Sequence, residues 1–303
     1  DAAQGWAGGL VTPSDMRAEP WVAVPAMARA AARVGVTVVE GCAVRLIDVA
    51  AGRVAGVVSE RGRIAAPAVV VAGGAWSSLL LRRAGVDIPQ LAVRATVAAT
   101  GPMAEVTAGA AADSRIAFRR RQDGGYTLAP GGFHELMLGP DTLRHFNSFI
   151  KKFLRQPLGT RLLPKAPGCY PDGWGTPRRW QGDEISPFER MRVLNPAPHQ
   201  KTLRRLTKDF ARMFPAAGRV ELHSAWAGMI DVLPDIVPVV DRVAALPGLV
   251  VATGMCGHGF GIGPAFGRIT ATLVTGGAPG HDITRFRMAR FSDGTKLTPG
   301  PAL

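Results

Sequence analysis

Residues 250–268 read VVATGMCGHGFGIGPAFGR, and this stretch decides the fold of the chain. The apolar run at 249–252 predicts a buried strand, and the glycines that follow it predict a loop. Pro264 suits the first position of a helix, where its missing N–H costs little, so we predict a helix from Pro264 to Val274. Glycine lets backbone N–H groups approach a ligand, and a helix N-terminus adds free donors and a positive dipole. The stretch therefore predicts a site for an anion or a cofactor.

Two segments upstream extend this pattern. Residues 69–77 (VVVAGGAWS) are an apolar run that ends in a glycine turn, and residues 226–240 (WAGMIDVLPDIVPVV) precede the closing stretch. Together with residues 253–264 they resemble motifs of the FAD-dependent amino-acid and amine oxidoreductases. That family includes D-amino-acid dehydrogenases, glycine and sarcosine oxidases and dimethylglycine dehydrogenases. The order and spacing match over most of the chain, least well at 143–189. The resemblance is specific for the family rather than for a substrate, and it implies FAD as the cofactor.

The opening motif of that family is not found near the N-terminus. The family begins with a strand, a G-x-G-x-x-G turn and a helix, which hold the pyrophosphate of FAD. Here the sequence starts at Asp1 in what resembles a mid-family segment. We therefore expect a fragment, or a chain whose N-terminal part lies elsewhere. Because a sheet without its central strand leaves apolar edges uncovered, we expect this polypeptide alone to bind FAD weakly or not at all.

The resemblance implies an α/β (α+β) fold, in which a partial FAD-binding, Rossmann-like domain carries an inserted antiparallel-sheet substrate domain. Residues 1–87 are expected in the FAD-binding domain, with its N-terminal part missing. Residues 88–219 are expected to form the substrate domain, mostly antiparallel sheet plus helices. Residues 220–303 are expected to return to the FAD-binding domain.

Local patterns predict several further elements. Residues 20–34 predict a helix and residues 35–40 the strand after it. Residues 51–53 predict a hairpin turn between two strands, and the Gln-Asp-Gly-Gly run at 122–125 predicts another. Residues 157–187 are rich in Pro, Gly and Trp, which is typical of a lid, a long loop or an insertion.

Composition and charge narrow the functional classes. The chain has 303 residues, 47% of them hydrophobic, and a formal net charge of +13. Its basic clusters carry no interleaved aromatic residues, so weak attraction to an anionic membrane surface or to an acidic partner subunit is favoured over nucleic-acid binding. Cys42, Cys169 and Cys256 are scattered, which argues against a metal site and fits a reducing compartment. We expect a cytoplasmic location, or a peripheral one at the inner membrane surface.

The resemblance also implies which residues contact the flavin. The backbone of residues 261–265 would face the pyrimidine ring and stabilise negative charge on the reduced flavin. The alternative for these residues is an ordinary strand-to-helix turn without a ligand. Val44 matches the family position whose backbone contacts the adenine, and the alternative there is a valine of the core. The expected cofactor-binding residues are Val44, Gly73, Gly74, Trp76, Gly254, Gly257, His258, Gly259, Phe260, Gly261, Ile262 and Gly263.

Candidate catalytic residues come from two places. His258, between glycines, either faces the flavin or the substrate or only bonds to neighbouring backbone. The arginine that many family members place after Trp-x-Gly is Ile230 here, so Arg119 and Arg121 are the substitute anchors for a carboxylate, with Tyr126 across the hairpin. Alternation along a strand places both arginines on one face; the alternative is a solvated basic edge strand.

Other side chains are expected to be structural. Asp231 and Asp235 cap or orient turns. Cys256 is expected to be a buried thiol, the alternative being a covalent link to the flavin.

The expected reaction is oxidation of the C–N bond of an amino acid or secondary amine to an imine, with hydride transfer to the flavin. The electron acceptor stays open, and a partner subunit is one option. Two alternatives remain: a truncated, non-catalytic paralogue that does not hold FAD, and an FAD-dependent hydroxy-acid oxidase.

Overall fold

The computed structural model describes residues 5–155 and 160–300, where helices and strands intermix along the chain. The α-helices are α1 (Pro20–Arg33), α2 (Ser77–Arg83), α3 (Pro140–Arg144), α4 (Phe146–Arg155), α5 (Pro187–Arg190), α6 (Gln200–Met213) and α7 (Gly259–Val274). The strands are β1 (Val44–Ala50), β2 (Arg53–Ser59), β3 (Gly62–Ala65), β4 (Val69–Val71), β5 (Leu91–Thr100), β6 (Ala110–Ala112), β7 (Ile116–Arg120), β8 (Tyr126–Pro130), β9 (His134–Met137), β10 (Thr160–Leu163), β11 (Leu222–Val232), β12 (Val239–Arg242) and β13 (Leu249–Thr253). Among these residues, no helix combines the length and apolar character that crossing a membrane requires.

The chain divides into two compact units. Unit 1 comprises Asp1–Glu40, Arg94–His134 and Asn195–Gly228, and unit 2 comprises Gly41–Val93, Glu135–Leu194 and Met229–Leu303. Each of the three predicted segments contributes residues to both units. Residues 135–194, expected within the substrate domain, belong to unit 2, whereas residues 1–40, expected within the FAD-binding domain, belong to unit 1.

Unit 1 is built on an antiparallel sheet covered by α6. Its strands follow the order β5-β8-β7-β6, and β11 pairs with β5. Helix α6 buries Leu203, Leu206, Phe210 and Met213, which recur at helical spacing on one face. The ring of Phe210 packs 5.5 Å from that of Phe118 on β7. Burial of this apolar face holds the helix on the sheet.

Unit 2 contains two small sheets. Strand β13 pairs in parallel with β4 and antiparallel with β12, and β1, β2 and β3 form an antiparallel meander. Helix α7 packs Phe266, Ile269 and Leu273 against Val240 and Val250 of the first sheet. Because the neighbouring strand is parallel, β13 and β4 end at the same edge of the sheet, where each runs into a glycine turn.

Most local predictions are confirmed, and two are wrong. Helix α1, the two hairpins and the β13 strand form as predicted. The strand predicted at 35–40 is absent from the described residues: Val36, Val38 and Val39 are exposed, and no strand pairs with them. Helix α7 begins at Gly259 rather than at Pro264, which lies inside it and removes one backbone donor from the helix. Of the segment 157–187, the first three residues lie outside the described part of the chain, and the rest contains β10, loops and the start of α5.

Candidate functional site in unit 2

The glycine loop after β13 leads directly into α7. Gly254 has φ +71°, and a Cβ at this position would collide with the side chain of Leu233, so only glycine fits. Cys256, at φ +50°, turns the chain again, and His258 is the N-cap of α7 without a capping bond from its side chain. The loop therefore delivers the helix N-terminus to the end of the parallel strand pair.

The first turn of α7 presents backbone donors. Ile262 is the first residue whose N–H reaches back to His258, at 3.4 Å, so the N–H groups of Gly259, Phe260 and Gly261 have no acceptor within the helix. Pro264 has no N–H, and the donors of Gly263 and Ala265 belong to the helix body. The N–H groups without an acceptor in the helix are thus those of Gly259, Phe260 and Gly261, and Gly261 also belongs to the predicted range 261–265.

The surface over this turn is open. A Cβ added at Gly261 or Gly263 would meet no atom within 4 Å, and the ring of Phe260 is 45% exposed. Free N–H donors, a helix N-terminus and side-chain-free backbone together suit a flat group with acceptor atoms along its edge. The pyrimidine edge of a flavin, which gains negative charge on reduction, is such a group, so these residues fit FAD.

The turn after β4 lies at the same edge of the sheet. Gly73 is exposed, and Gly74, at φ +53°, enters a short 3₁₀ turn that ends at Trp76. The indole of Trp76 packs edge-on against Phe188 at 5.2 Å, and its Nε1 is buried with no hydrogen-bond partner among the described residues. A buried donor without an acceptor is costly, which makes Nε1 a candidate contact for a ligand.

Val44 is half-buried on β1, opposite Ser59.

A buried hydrogen-bond network ties the two turns together. The Oδ2 atom of Asp231 accepts from the N–H of Gly254 at 2.7 Å, from Gln90 Nε2 at 3.0 Å and from Thr253 Oγ1 at 3.2 Å. Gln90 Nε2 also donates to the carbonyl of Gly74, and Thr253 Oγ1 lies 2.9 Å from Ser77 Oγ. The network fixes the start of one glycine turn against the other. It bears out the interpretation of Asp231 as a turn-orienting residue. The sequence motifs contain Thr253 and Ser77 but predict no role for either side chain, and Gln90 lies outside those motifs.

Asp235 and Cys256 are also structural. Asp235 is buried and pairs with Arg290, whose Nε lies 2.8 Å from Oδ2. The thiol of Cys256 is fully buried, donates to the carbonyl of Gly254 at 3.0 Å and accepts from the N–H of Leu233. A buried, hydrogen-bonded thiol agrees with the interpretation of Cys256 as a packing residue.

Candidate substrate contacts in unit 1

Arg119 lies on β7, and Arg121 directly follows the last residue of that strand; both arginines lie near Trp21. The guanidinium of Arg119 lies 5.9 Å from the ring of Trp21 and pairs with Glu19 at 3.1 Å. Arg121, Trp21 and Trp226 line a cavity of about 300 Å³, together with Asp123. The remaining lining residues are Ala99, His223 and Ser224.

Arg121 and Tyr126 are already engaged in hydrogen bonds. Arg121 is buried, donates to the carbonyls of Tyr126 and Thr100 and pairs with Asp123 at 2.6 Å, which lowers the pKa of that carboxyl. The ring of Tyr126 is fully buried, and its hydroxyl donates to the carbonyl of Thr107 at 2.8 Å. These contacts hold the 122–125 hairpin, so Arg121 presents a fixed guanidinium to the cavity while Tyr126 faces the core.

Comparison with known proteins

The open glycine turn at the start of α7 suits the edge of a flavin, and comparison with known proteins gives the family. The chain belongs to the DAO family, described as FAD dependent oxidoreductases, which it matches over residues 1–273. It is 27% identical to a D-amino acid dehydrogenase of Rhizobium johnstonii over 286 residues, covering 94% of this chain and 55% of that protein. It is 30% identical to an N-methyl-L-tryptophan oxidase of Salmonella newport over 139 residues, covering 43% of this chain and 37% of that protein.

A solved structure confirms the fold. The L-amino acid deaminase from Proteus vulgaris superimposes with a TM-score of 0.83 at 28% identity, covering 90% of this chain and 63% of that one. The chain thus spans little more than half the length of the dehydrogenase and under two thirds of the deaminase.

Proposed function

We propose that this chain serves in the FAD-dependent oxidation of a C–N bond in an amino acid or a secondary amine, giving an imine that water hydrolyses. The observation that carries the proposal is the open first turn of α7, with three backbone donors and a side-chain-free surface. The relatives support it, since their names describe oxidation or deamination of amino acids and N-methyl amino acids. Bound FAD supplies the hydride acceptor.

The residues of unit 2 hold and polarise the cofactor in this proposal. The N–H groups of Gly259 to Gly261 would donate to the edge of the flavin that carries negative charge when reduced, and Trp76 Nε1, which has no hydrogen-bond partner among the described residues, would donate to an acceptor of the cofactor. The Asp231 network keeps both turns in place before the ligand arrives, so little ordering is needed on binding. His258, at the helix N-cap, is proposed to face the flavin or the substrate. The remaining predicted cofactor residues, Val44, Gly73, Gly74, Gly254, Gly257, Ile262 and Gly263, are proposed to contribute backbone contacts.

The residues of unit 1 are proposed to bind the substrate. Arg121 is fixed at the wall of a cavity with two indole rings, and Arg119 lies beside one of them. Arg121 uses four of its five N–H donors on Asp123, Tyr126 and Thr100, so one N–H of Nη1 is left to donate to a substrate carboxylate. Indoles suit an apolar or aromatic side chain. Tyr126 supports this site through the hairpin rather than by contact with the substrate. We further propose a partner subunit or an electron acceptor, and a cytoplasmic location or a peripheral one at the inner membrane surface.

The test is anaerobic reduction of the protein saturated with FAD. Loss of the visible flavin band with N-methyl and α-amino acids, but not with matching 2-hydroxy acids, is the expected result. Reduction by hydroxy acids alone would overturn the C–N assignment. Failure to perturb the flavin spectrum at saturating FAD would show that these 303 residues do not bind the cofactor by themselves.

A further inference from the structure

One face of α6 carries a row of exposed cations, here called the basic stripe. Its members follow the spacing i, i+3, i+4, i+7 and i+11, which at about 100° per residue confines them to an arc of roughly 100° along about 16 Å of the helix. They are Lys201, Arg204, Arg205, Lys208 and Arg212.

The fold itself makes little use of this stripe. The opposite face of α6 supplies the core residues Leu203, Leu206 and Phe210, so the apolar side of the helix is already buried. Asp209 is the acidic residue of this helix, and it pairs with Arg205 at 3.2 Å. Like charges three and four residues apart destabilise a helix, and a surface of opposite charge would offset that repulsion.

A cavity opens at the N-terminal end of the stripe. It has a volume of about 140 Å³, and Lys201 and Arg205 of the stripe stand at its rim with Arg115. Its apolar walls include Phe133 and Leu206. A ligand that follows the stripe would therefore meet a small apolar recess under a cationic rim.

We propose that the basic stripe is a docking surface for an acidic polypeptide segment. A helix with carboxylates every three to four residues matches the spacing of the cations, and one apolar side chain of it would enter the cavity. A membrane-surface helix inserts its apolar face into the bilayer, but in α6 that face is buried in the protein core. Single-stranded nucleic acids bind to aromatic stacking platforms, and the stripe contains none.

Binding of a defined probe tests the proposal. The probe is a synthetic helical peptide with glutamates at i, i+4 spacing and one leucine, followed by fluorescence anisotropy. Arg204→Glu/Lys208→Glu should weaken binding at least about tenfold. The matched control is Arg29→Glu/Arg33→Glu on α1, which makes the same charge change on another exposed i, i+4 pair and should cost less than about threefold. Arg204→Ala/Lys208→Ala removes the charges without reversing them and should fall between wild type and the reversal.

Cross-linking locates the bound peptide. A zero-length carbodiimide should join its glutamates to Lys201 and Lys208, and not to the exposed Lys165 and Lys296. The proposal is overturned if the test and control variants lose affinity for the peptide equally, or if the peptide does not bind. It is also overturned if cross-links form at Lys165 and Lys296 as readily as at Lys201 and Lys208. Tighter, stripe-dependent binding to phosphatidylserine vesicles or to RNA would overturn it too. A probe with leucine changed to alanine that binds as tightly would refute the role of the cavity.

Discussion

Asp231 is the residue on which the geometry of the candidate flavin site depends most. One carboxylate oxygen receives three buried donors, one from each of Gly254, Thr253 and Gln90. The sequence predicts that this aspartate caps or orients a turn, but it does not predict which groups the carboxylate binds. Its role becomes visible once the fold brings Gln90 and Thr253 to it, from positions 141 and 22 residues away.

Removing this carboxylate should destabilise the protein. Asp231→Ala leaves the buried N–H of Gly254 without its acceptor and removes one of the acceptors of Gln90 Nε2, so the free energy of unfolding should fall by about 3 kcal/mol. Urea denaturation measures it. Asp15→Ala, an exposed aspartate, is the control and should change that free energy by less than about 0.5 kcal/mol. Equal effects from the two substitutions would show that the network contributes nothing.

The buried pair of Asp235 and Arg290 makes a second prediction at this scale. Both side chains are 3% exposed, and Arg290 also donates to the carbonyl of Val237 at 2.6 Å. Arg290→Ala leaves the buried carboxylate of Asp235 without its partner and should lower the free energy of unfolding by about 3–5 kcal/mol. Adding Asp235→Asn to it should recover part of the loss, because the unpaired charge is then gone. A double variant less stable than Arg290→Ala would contradict this explanation.

Helix α7 shows how an element can trade stability for a binding surface. Gly261 and Gly263 lie in its first turns, where a methyl group would meet only open space, so packing gives no reason for glycine. Glycine within a helix costs about 0.5–1 kcal/mol relative to alanine. The cost is explained if the ligand needs to approach the backbone.

A pair of matched substitutions tests this explanation. Gly261→Ala and Gly267→Ala should each raise the free energy of unfolding by up to about 1 kcal/mol, because both positions are open and helical. Only Gly261→Ala should weaken FAD binding, as measured by quenching of flavin fluorescence. If both variants bind FAD as wild type does, then the first turn of α7 does not contact the cofactor.

The ion pair between Arg192 and Glu60, which directly follows β2, should make the stability of the protein depend on pH. Hydrogen bonds from Arg192 and from the N–H of Ala43 lower the pKa of Glu60 from 4.5 to about 2. A depressed carboxyl pKa stabilises the folded state above the ordinary value, and that contribution is lost as the pH falls from about 4.5 towards 2. Glu60→Gln should therefore lower the thermal midpoint at pH 7 and progressively less at lower pH. A difference that stays constant with pH would contradict the ion pair as its cause.

Local patterns were predictable from sequence wherever short-range chemistry decides them. The turns at 51–53 and 122–125 follow from their glycines, and the β13 strand from its apolar run. The sequence predicts the start of α7 five residues too late because proline suits a first helical position, whereas the residues from Gly259 onward already adopt helical geometry. The strand predicted at 35–40 does not form because a strand needs a neighbouring strand to bond with, and the apolar pattern of the sequence does not show whether one is present. Hydrogen bonds between distant residues, such as that of Glu19 with Arg119, leave no local signal.

For the whole molecule, the candidate cofactor residues lie in unit 2 and the candidate substrate residues, apart from His258, in unit 1. Members of the family share this chain's fold, and the proposed flavin site lies at the paired turns 73–76 and 254–263. Composition does not predict that assignment. It depends on the parallel pairing of β4 and β13, which brings the two turns to one edge.

The most direct test is amide hydrogen exchange of the 303-residue protein with and without FAD, at about 1 mM so that a weak complex is populated. FAD should slow exchange at Gly259, Phe260 and Gly261 and in the 73–76 turn, and leave exchange along the α6 backbone unchanged. Unaltered exchange at those glycines, or protection confined to other parts of the chain, would contradict the assignment of the flavin site.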